Sequence, residues 1–343
     1  MFVYTALILL CLLFSLINGL KNNKFILYPL LIIMLFLAVF RDSSIGTDTE
    51  AYIDLFNYSK NIKGGLFESG EYLFGYITYF CSNYLNLTCY YTIIYGIYLF
   101  AVGCFIKNFS TNWGLSIFIF ITCGFYTQSF NIMRQFWALG VSLIGVYYLI
   151  NKQPSKFWLY LIISTFIHGS AAILSILFFI RNIEFKKNIQ CLIVTISFIL
   201  GYFLAPILSP YFELLSVYTG RFEHYLLVGP SEDARNIISN IGLNIMFLFT
   251  LYYANQQYKN SVVLKMYFIS IVVFNLFATF GFIIRLNEYF AIAQIVVLPY
   301  VLSSIRKTIS KVVYVTLLLG YCLARFYMRT LNVDDIYPYI LSI

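Results

Sequence analysis

Long apolar stretches, separated by short polar ones, occupy most of the chain. They are about 16 to 22 residues long, which is the length of a helix that crosses a bilayer. They are too long for the strands of a membrane barrel and lack the strict alternation of such strands. The pattern predicts spans near 2–19, 25–40, 89–106, 113–130, 134–151, 189–209, 237–255, 262–283, 289–305 and 309–326. We therefore predict an all-α polytopic integral membrane protein, one domain over 1–343 with about 10–12 transmembrane helices.

Two further apolar stretches and two long loops lie between the predicted spans. The stretch 71–86 is interrupted by polar residues and predicts an interfacial helix. The stretch 157–180 fits either one long span or a re-entrant helix pair hinged at His168-Gly169. The pattern also leaves two long outer loops, 41–88 and 210–236, and loops beyond about a dozen residues are usually functional or disordered.

The lysines give the spans an orientation, because the cytoplasmic loops of membrane proteins collect positive charge. Nearly all lysines lie inside, and nearly all acidic residues outside, when six loops are placed on the cytoplasmic side. These loops are 21–24, 107–112, 151–156, 181–188, 255–265 and 306–311. The arrangement requires 157–180 to enter and leave on the same side, which favours the re-entrant alternative, and it places both termini outside.

The arginines are distributed in the opposite way. Only Arg181 and Arg306 fall inside, whereas the other arginines lie outside or at outer helix ends: Arg41, Arg134, Arg221, Arg235, Arg285, Arg325 and Arg329. Arginine binds phosphate and carboxylate through two parallel hydrogen bonds and keeps its charge. The outward arginines therefore indicate an anionic ligand on the outer face. The alternative is that they pair with the acidic residues outside.

The composition supports a membrane protein and excludes several other classes. The chain is 61% hydrophobic and 10% charged, with a mean hydropathy of +0.83, whereas about a quarter of the residues in a soluble domain are charged. The net charge of +8 does not indicate a nucleic-acid partner, because it lies in short loops between helices. The seven cysteines are scattered without a CxxC pair, which argues against a metal site. We expect no metal and no cofactor.

The segment "FRDSSIGTDTEAY" is a charged interruption at the end of the second span. Thr47 and Glu50 have the spacing of a capping box, which predicts a helix start. The amino-terminal end of a helix is a natural seat for phosphate, Gly46 allows close backbone approach, and Arg41 stands at the bilayer edge. The alternative is a capped loop helix beside an arginine that reaches to the interface.

Three further groups of polar residues are candidates for chemistry. Asn131, Arg134 and Gln135 have the spacing of one helix face at an outer turn, and a charged residue there is a functional candidate. His168 stands at the predicted hinge, although a lone histidine in a span is more often structural. Arg285, Glu288 and Tyr289 also share one face, where an Arg–Glu ion pair is the alternative. The last group, "YTGRFEHYL", places Arg221 in the second long loop.

Six segments together resemble the EpsG-like family, polysaccharide polymerases of the O-antigen (Wzy) type. They are "FRDSSIGTDTEAY", "GEYLFGY", "NIMRQFWALGVSLIGVYYL", "KFWLYLIISTFIHGSAAI", "RLNEYF" and a terminal "YPY", in this order along the chain. The resemblance implies a bacterial inner-membrane glycosyltransferase with its active site facing the periplasm. Such enzymes join oligosaccharide repeat units carried on undecaprenyl diphosphate, beside a flippase and a chain-length regulator.

The resemblance and the residues together suggest roles for the candidate residues. We expect Arg41, Arg134 and Arg285 to bind the diphosphate, and Asp48, Glu71 or His168 to act as base or to position the acceptor. The remaining candidates for binding diphosphate or glycan are Thr47, Gln135, Arg221, Glu288 and Tyr289. Two other functions stay open: a flippase or transporter of lipid-linked glycans, and a membrane O-antigen ligase or acyltransferase.

Overall fold

The computed structural model describes residues 2–17, 22–60, 70–219, 237–278, 280–330 and 335–342, most of which are helical. The first half contains α1 (Phe2–Leu16), α2 (Lys24–Val39), α3 (Thr49–Tyr58), α4 (Tyr72–Tyr84), α5 (Leu87–Phe109), α6 (Trp113–Thr122), α7 (Met133–Ile150), α8 (Pro154–Ile167) and α9 (Ile176–Ile180). The second half contains α10 (Lys187–Thr219), α11 (Ile237–Tyr253), α12 (Gln256–Lys259), α13 (Val262–Phe277), α14 (Gly281–Ala291), α15 (Gln294–Ser304) and α16 (Thr308–Thr330).

Three of the described helices are long and apolar enough to cross a membrane: Leu87–Phe109, Met133–Ile150 and Thr308–Met328. The pair Ile283–Ala291 and Gln294–Ser304, bent by 46°, is a fourth if it is counted as one span. Shorter apolar helices accompany them, including Val3–Leu16, Phe25–Val39 and Val262–Phe277. The all-α polytopic class is therefore confirmed. The figure of about 10–12 transmembrane helices stays a prediction.

The chain forms two compact units, Met1–Phe178 with Cys322–Ile343, and Phe179–Tyr321. In the first unit, α5 packs against α2 and α7, α7 packs against α8, and α1 packs against α6. The core of this unit is strongly aromatic, with Phe118, Phe120, Phe125, Tyr126 and Phe130 fully buried. In the second unit, α10 and α14 both pack against α13.

Buried tyrosine hydroxyls in the first unit hold the chain between α6 and α7. Tyr98 donates to the Phe125 carbonyl (2.9 Å), and Tyr126 donates to the Met34 carbonyl of α2 (2.6 Å). The Tyr98 hydroxyl thereby satisfies a carbonyl of the irregular segment between α6 and α7, which otherwise carries a large cost when buried. The Tyr126 hydroxyl ties the same segment to α2. These bonds fix the start of α7, the helix that carries Arg134.

A buried network of asparagines joins three helices of the second unit. The amide of Asn275 on α13 donates to the side chains of Ser197 on α10 (3.0 Å) and Asn244 on α11 (2.9 Å). Asn244 returns a hydrogen bond to the Asn275 oxygen (2.8 Å). Such a network fixes the register of apolar helices, because sliding one helix would bury an unsatisfied amide.

Three of the predicted spans are interrupted. The stretch 113–130 was expected to be one helix, but α6 ends at Thr122 and the chain turns at Gly124, whose φ is 89°. The stretch 262–283 divides into α13, which ends at Phe277, and α14, which begins at Gly281. The stretch 289–305 is divided as well, since α14 ends at Ala291 and α15 begins at Gln294. All three predictions of a continuous helix were wrong, because hydropathy does not report backbone turns.

The chain does break at the predicted hinge. Helix α8 ends at Ile167, His168 is extended (φ −153°, ψ 118°), and a 3-10 helix, Gly169–Ser175, follows. That 157–180 enters and leaves the membrane on one side stays a prediction. The stretch 71–86 contains the short helix α4, as expected, and its interfacial position also stays a prediction.

Gly46 offers a test of the packing beside α3. Its φ is +94°, and an added Cβ would lie 2.6 Å from Oδ1 of Asn131 and 3.2 Å from Cβ of Phe130. Gly46→Ala is expected to lower the melting temperature of the purified protein strongly, because steric overlap adds to about 1–2 kcal/mol of backbone strain. Gly70→Ala is the matched control, since Gly70 also has a positive φ (+77°) but nothing within 4 Å of its Cβ position. Equal melting temperatures would contradict this packing.

Candidate functional site

A carboxylate, a guanidinium and an imidazole from separate parts of the chain meet in the first unit. Nη1 of Arg134 donates to Oε2 of Glu71 over 2.7 Å. Nδ1 of His168 makes a short hydrogen bond with Oε1, the other oxygen of the same carboxylate. We call these three residues the Glu71 cluster. The carboxylate therefore bridges two residues that each present a cationic or basic nitrogen.

Local structure explains why these side chains can meet. Glu71 occupies the amino-terminal cap position of α4, but its side chain makes no capping hydrogen bond, which leaves both oxygens for partners on other helices. Arg134 lies in the first turn of α7, and His168 lies at the break after α8. Because α8 packs against both α4 and α7, the three positions converge.

The three side chains of the Glu71 cluster differ in their exposure to solvent. The side chain of Glu71 is 10% exposed, that of His168 is 26% exposed, and that of Arg134 is 39% exposed. The carboxylate thus forms the base of the cluster, while the guanidinium and the imidazole reach the surface. A ligand that arrives at this surface therefore contacts Arg134 and His168 before it contacts the carboxylate of Glu71.

Tyr52 extends the cluster to α3. Its side chain is buried, and its hydroxyl oxygen accepts a hydrogen bond from Arg134. The Phe74 ring lies on another side of the guanidinium, 5.6 Å from Cζ of Arg134. Tyr52 was not among the residues that the sequence pattern predicted for the site. The available sequence clue was its position as the last residue of the segment "FRDSSIGTDTEAY".

The two partners keep Glu71 ionised. Burial alone would raise the pKa of its carboxyl group, but the hydrogen bond from His168 and the charge of Arg134 outweigh burial, so the pKa lies below its ordinary value. An ionised carboxylate only accepts hydrogen bonds, so Nδ1 of His168 must carry the proton of their shared bond. In a neutral ring this arrangement leaves Nε2 as a basic lone pair. The cluster can therefore hold a histidine in the tautomer needed for a general base.

Tyr52→Phe is expected to lower the melting temperature of the purified protein, since Arg134 loses a hydrogen bond that is worth about 1.5–3 kcal/mol when a charged group takes part. Burial raises the pKa of the Tyr52 hydroxyl, which therefore stays protonated and neutral. Thermal unfolding of the variant in detergent measures the effect. Tyr58→Phe on the same helix is the control, because Tyr58 is exposed. Equal melting temperatures for the two variants would argue against a role for the Tyr52 hydroxyl.

Arg41 is enclosed by aromatic rings. Its Cζ lies 4.6 Å from the ring centroid of Tyr91, 5.0 Å from that of Tyr95 and 4.8 Å from that of Phe130. Nη1 donates to the carbonyl of Ala38, near the end of α2. The residue is only 4% exposed, so cation–π contacts replace most of its hydration.

The carboxyl-terminal segment 335–342 runs beside Arg41. A β-bridge joins Arg41 to Leu341, the Asp42 amide donates to the Ile340 carbonyl (3.0 Å), and the Ser342 amide donates to the Phe40 carbonyl (2.9 Å). The Tyr339 hydroxyl donates to the Leu37 carbonyl (2.5 Å). The segment thereby holds the backbone of 40–42 in place.

A family model described as the EpsG family matches residues 25–341. The chain belongs to the EpsG family. The match confirms the resemblance carried by the six segments, and at family level it supports a polysaccharide-polymerase-like function in a membrane protein. Comparisons with curated proteins and with solved structures give no significant match.

In this EpsG-family chain, the capping box predicted at Thr47 and Glu50 is not formed. Helix α3 begins at Thr49, and Asp48 occupies the cap position without a side-chain capping bond. Instead the Thr47 hydroxyl donates to Asp48 (3.2 Å), and the Thr49 hydroxyl donates to the Ile45 carbonyl (2.6 Å). A helix was predicted correctly here, but its start and its cap were wrong. Asp48 is half-buried and lies within electrostatic reach of Tyr52.

Asn131 and Gln135 do not accompany Arg134 to the surface. Helix α7 begins at Met133, so Asn131 precedes the helix, and both Asn131 and Gln135 are buried. The prediction that the three residues share one helix face was therefore wrong for Asn131. The Asn131 side chain instead lies over Gly46, which it would contact at 2.6 Å if Gly46 carried a Cβ.

The remaining candidates of this EpsG-family chain belong to the second unit or lie outside the described residues. On α14, Arg285 is exposed, whereas Glu288 and Tyr289 are buried. The shared face expected for these residues therefore has only one accessible member. Arg221 lies outside the described residues. A role for Arg285 in binding an anion stays a prediction.

Proposed function

We propose that this protein is a polysaccharide polymerase that joins oligosaccharide repeat units carried on undecaprenyl diphosphate, on the outer face of the bacterial plasma membrane. The single observation that carries the proposal is the Glu71 cluster. It places an accessible guanidinium beside an accessible imidazole, on a shared buried carboxylate. Transfer of a glycan from a diphosphate to a hydroxyl requires a base that takes the hydroxyl proton and a cation that stabilises the departing diphosphate.

In the proposed reaction, His168 acts as the general base. The acceptor is a sugar hydroxyl of a fresh lipid-linked repeat unit, and its proton passes to Nε2 of His168. The hydroxyl oxygen forms a bond to the anomeric carbon of the growing glycan, whose bond to the diphosphate oxygen breaks. Glu71 holds the ring in the required tautomer and stabilises the imidazolium that forms, as the carboxylate does in a catalytic triad.

Arg134 supports the leaving group in this proposal. Negative charge develops on the diphosphate as it departs, and a preorganised guanidinium stabilises that charge in the transition state. Glu71 and Tyr52 fix the guanidinium from one side, so little reorganisation is needed when substrate binds. The proposal requires no metal ion, because arginine supplies the positive charge.

Arg41 has an indirect role in this proposal. Because it is buried among three rings and bonded to the backbone of α2, direct phosphate contact would require the rings to separate. We propose that Arg41 instead supports the segment leading to Asp48 and α3, and so the position of Tyr52. This assignment replaces the expectation that Arg41 binds diphosphate directly.

A deletion strain tests the proposed function. Loss of a polymerase leaves single repeat units on the surface acceptor, whereas loss of a flippase leaves none. Loss of a ligase leaves the polymer unattached to its acceptor. We expect single repeat units, with the long ladder restored by the wild-type gene and not by the Glu71→Gln gene. A normal ladder in the deletion strain would overturn the proposal.

A further inference from the structure

The accessible face of α4 consists almost entirely of aromatic rings. Its exposed residues are Tyr72, Tyr76, Phe80, Asn83 and Tyr84, and the four aromatic side chains are between 39% and 69% exposed. They recur at every fourth position, and four residues of helix advance about 6 Å and turn about 40° beyond a full revolution. The rings therefore form one continuous stripe, which we call the α4 stripe.

The accessible faces of α1 and of the first half of α10 have a different composition. The exposed residues of α1 include Leu9, Leu13 and Leu16, and those of α10 include Ile189, Leu192, Ile196 and Ile199. Branched aliphatic residues suit contact with lipid tails, which offer neither hydrogen bonds nor flat polar rings. The α4 stripe exposes no leucine or isoleucine, and three of its four rings carry a hydroxyl. Its chemistry therefore suits a ligand with both apolar faces and hydroxyls.

The α4 stripe begins at the Glu71 cluster. Tyr72 follows Glu71 directly, and its ring centroid lies 6.2 Å from that of Phe166, two residues before His168. At the other end of the stripe, the rings of Phe80 and Tyr84 lie 5.4 Å apart. The Cα atoms of Tyr72 and Tyr84 are about 18 Å apart along a helix. A chain that reacts at His168 and leaves along α4 would thus meet one ring per turn.

We propose that the α4 stripe binds the growing glycan, with its sugar rings stacked on Tyr76, Phe80 and Tyr84. A sugar ring presents C–H groups on one face, which suit the negative face of an aromatic ring, and its hydroxyls suit the phenol groups. Asn83 adds an amide oxygen at the far end of the stripe, while its NH2 group donates to the Tyr79 carbonyl (2.9 Å). The inference rests on the proposed function and adds a consequence: the stripe holds the product between transfers and so favours long chains.

Leucine substitutions separate a sugar-binding stripe from a face that only contacts lipid. Tyr76→Leu and Tyr84→Leu retain apolar area and helix propensity but remove the flat ring. We expect each variant to shorten the most abundant chain length at least twofold while single transfers continue. Tyr84→Phe keeps the ring and should retain most of the wild-type length. Phe100→Leu on α5 is the matched control, because Phe100 is an exposed aromatic outside the stripe.

Two results would overturn the inference. One is a wild-type ladder from both leucine variants at equal protein level, which would mean that α4 contacts lipid only. The other is an equal shortening by Phe100→Leu, which would mean that any exposed ring has this effect. If the α4 stripe does not bind glycan but the protein is a polymerase, the deletion strain still lacks the long ladder. If the protein is not a polymerase, the deletion strain has a normal ladder, so the two failures are distinguishable.

Discussion

Glu71→Gln is expected to abolish chain growth while the protein remains folded in the membrane. The amide keeps the shape of the side chain but loses the charge that balances Arg134 and that orients His168. A neutral amide can also donate to Nδ1, which would stabilise the wrong tautomer. Loss of the orienting carboxylate in a catalytic triad costs about 10⁴-fold in rate, and we expect a loss of this order. Glycan ladders in the complemented deletion strain measure the result.

Asp42→Asn is the matched control for Glu71→Gln. Asp42 is another carboxylate near the end of α2, and its side chain accepts hydrogen bonds from Ser44 only locally. This variant should retain the ladder. The double variant Glu71→Gln/His168→Ala should be no worse than either single variant, because residues that act as one unit are not additive. Additive losses would contradict coupling between Glu71 and His168.

Arg134→Lys is the second change with a large expected effect. Lysine keeps the charge but offers one compact ammonium group in place of a planar fork. A lysine at this position cannot hydrogen-bond to both Glu71 and Tyr52 and also donate to a diphosphate. We expect a loss of about 10²–10³-fold in transfer rate, the usual cost of removing one preorganised donor from a developing negative charge.

The control for this change is Arg306→Lys, since Arg306 is an exposed arginine in a loop predicted to be cytoplasmic. It should transfer at the wild-type rate. Initial rates on purified protein in detergent compare the two variants, with melting temperatures to show that both are folded. Full activity of Arg134→Lys would mean that only the charge is needed, and it would remove the argument for bidentate binding.

The fold class could be predicted because it depends on composition and run length, which a single sequence contains in full. The chemical identity of the Glu71 cluster could be predicted in part, since Glu71, Arg134 and His168 each stood out as a candidate. Their pairing could not be predicted. The partners are 63 and 97 positions apart, and helix packing brings them together in a way that hydropathy does not encode.

The environment of Arg41 could not be predicted from the sequence. An arginine at the end of an apolar run was expected to stand at the bilayer edge, and that position stays a prediction. The sequence did not indicate that rings from α5 and from the segment before α7 enclose Arg41, or that the segment 335–342 pairs with its backbone. The capping box failed for a related reason: Asn131 lies against Gly46, and the hydroxyl of Thr49 bonds backwards to Ile45. Local spacing reports neither a contact between distant segments, such as that of Asn131 with Gly46, nor which of several local hydrogen bonds a hydroxyl forms.

The most direct test is polymerisation by the purified protein in liposomes. The substrate is the lipid-linked repeat unit isolated from the deletion strain, with no other enzyme added. We predict a ladder of glycan multiples and release of one lipid diphosphate for each bond formed, with neither product from the Glu71→Gln variant. Repeat units that stay single with wild-type protein, or a ladder of equal rate from Glu71→Gln, would contradict the account.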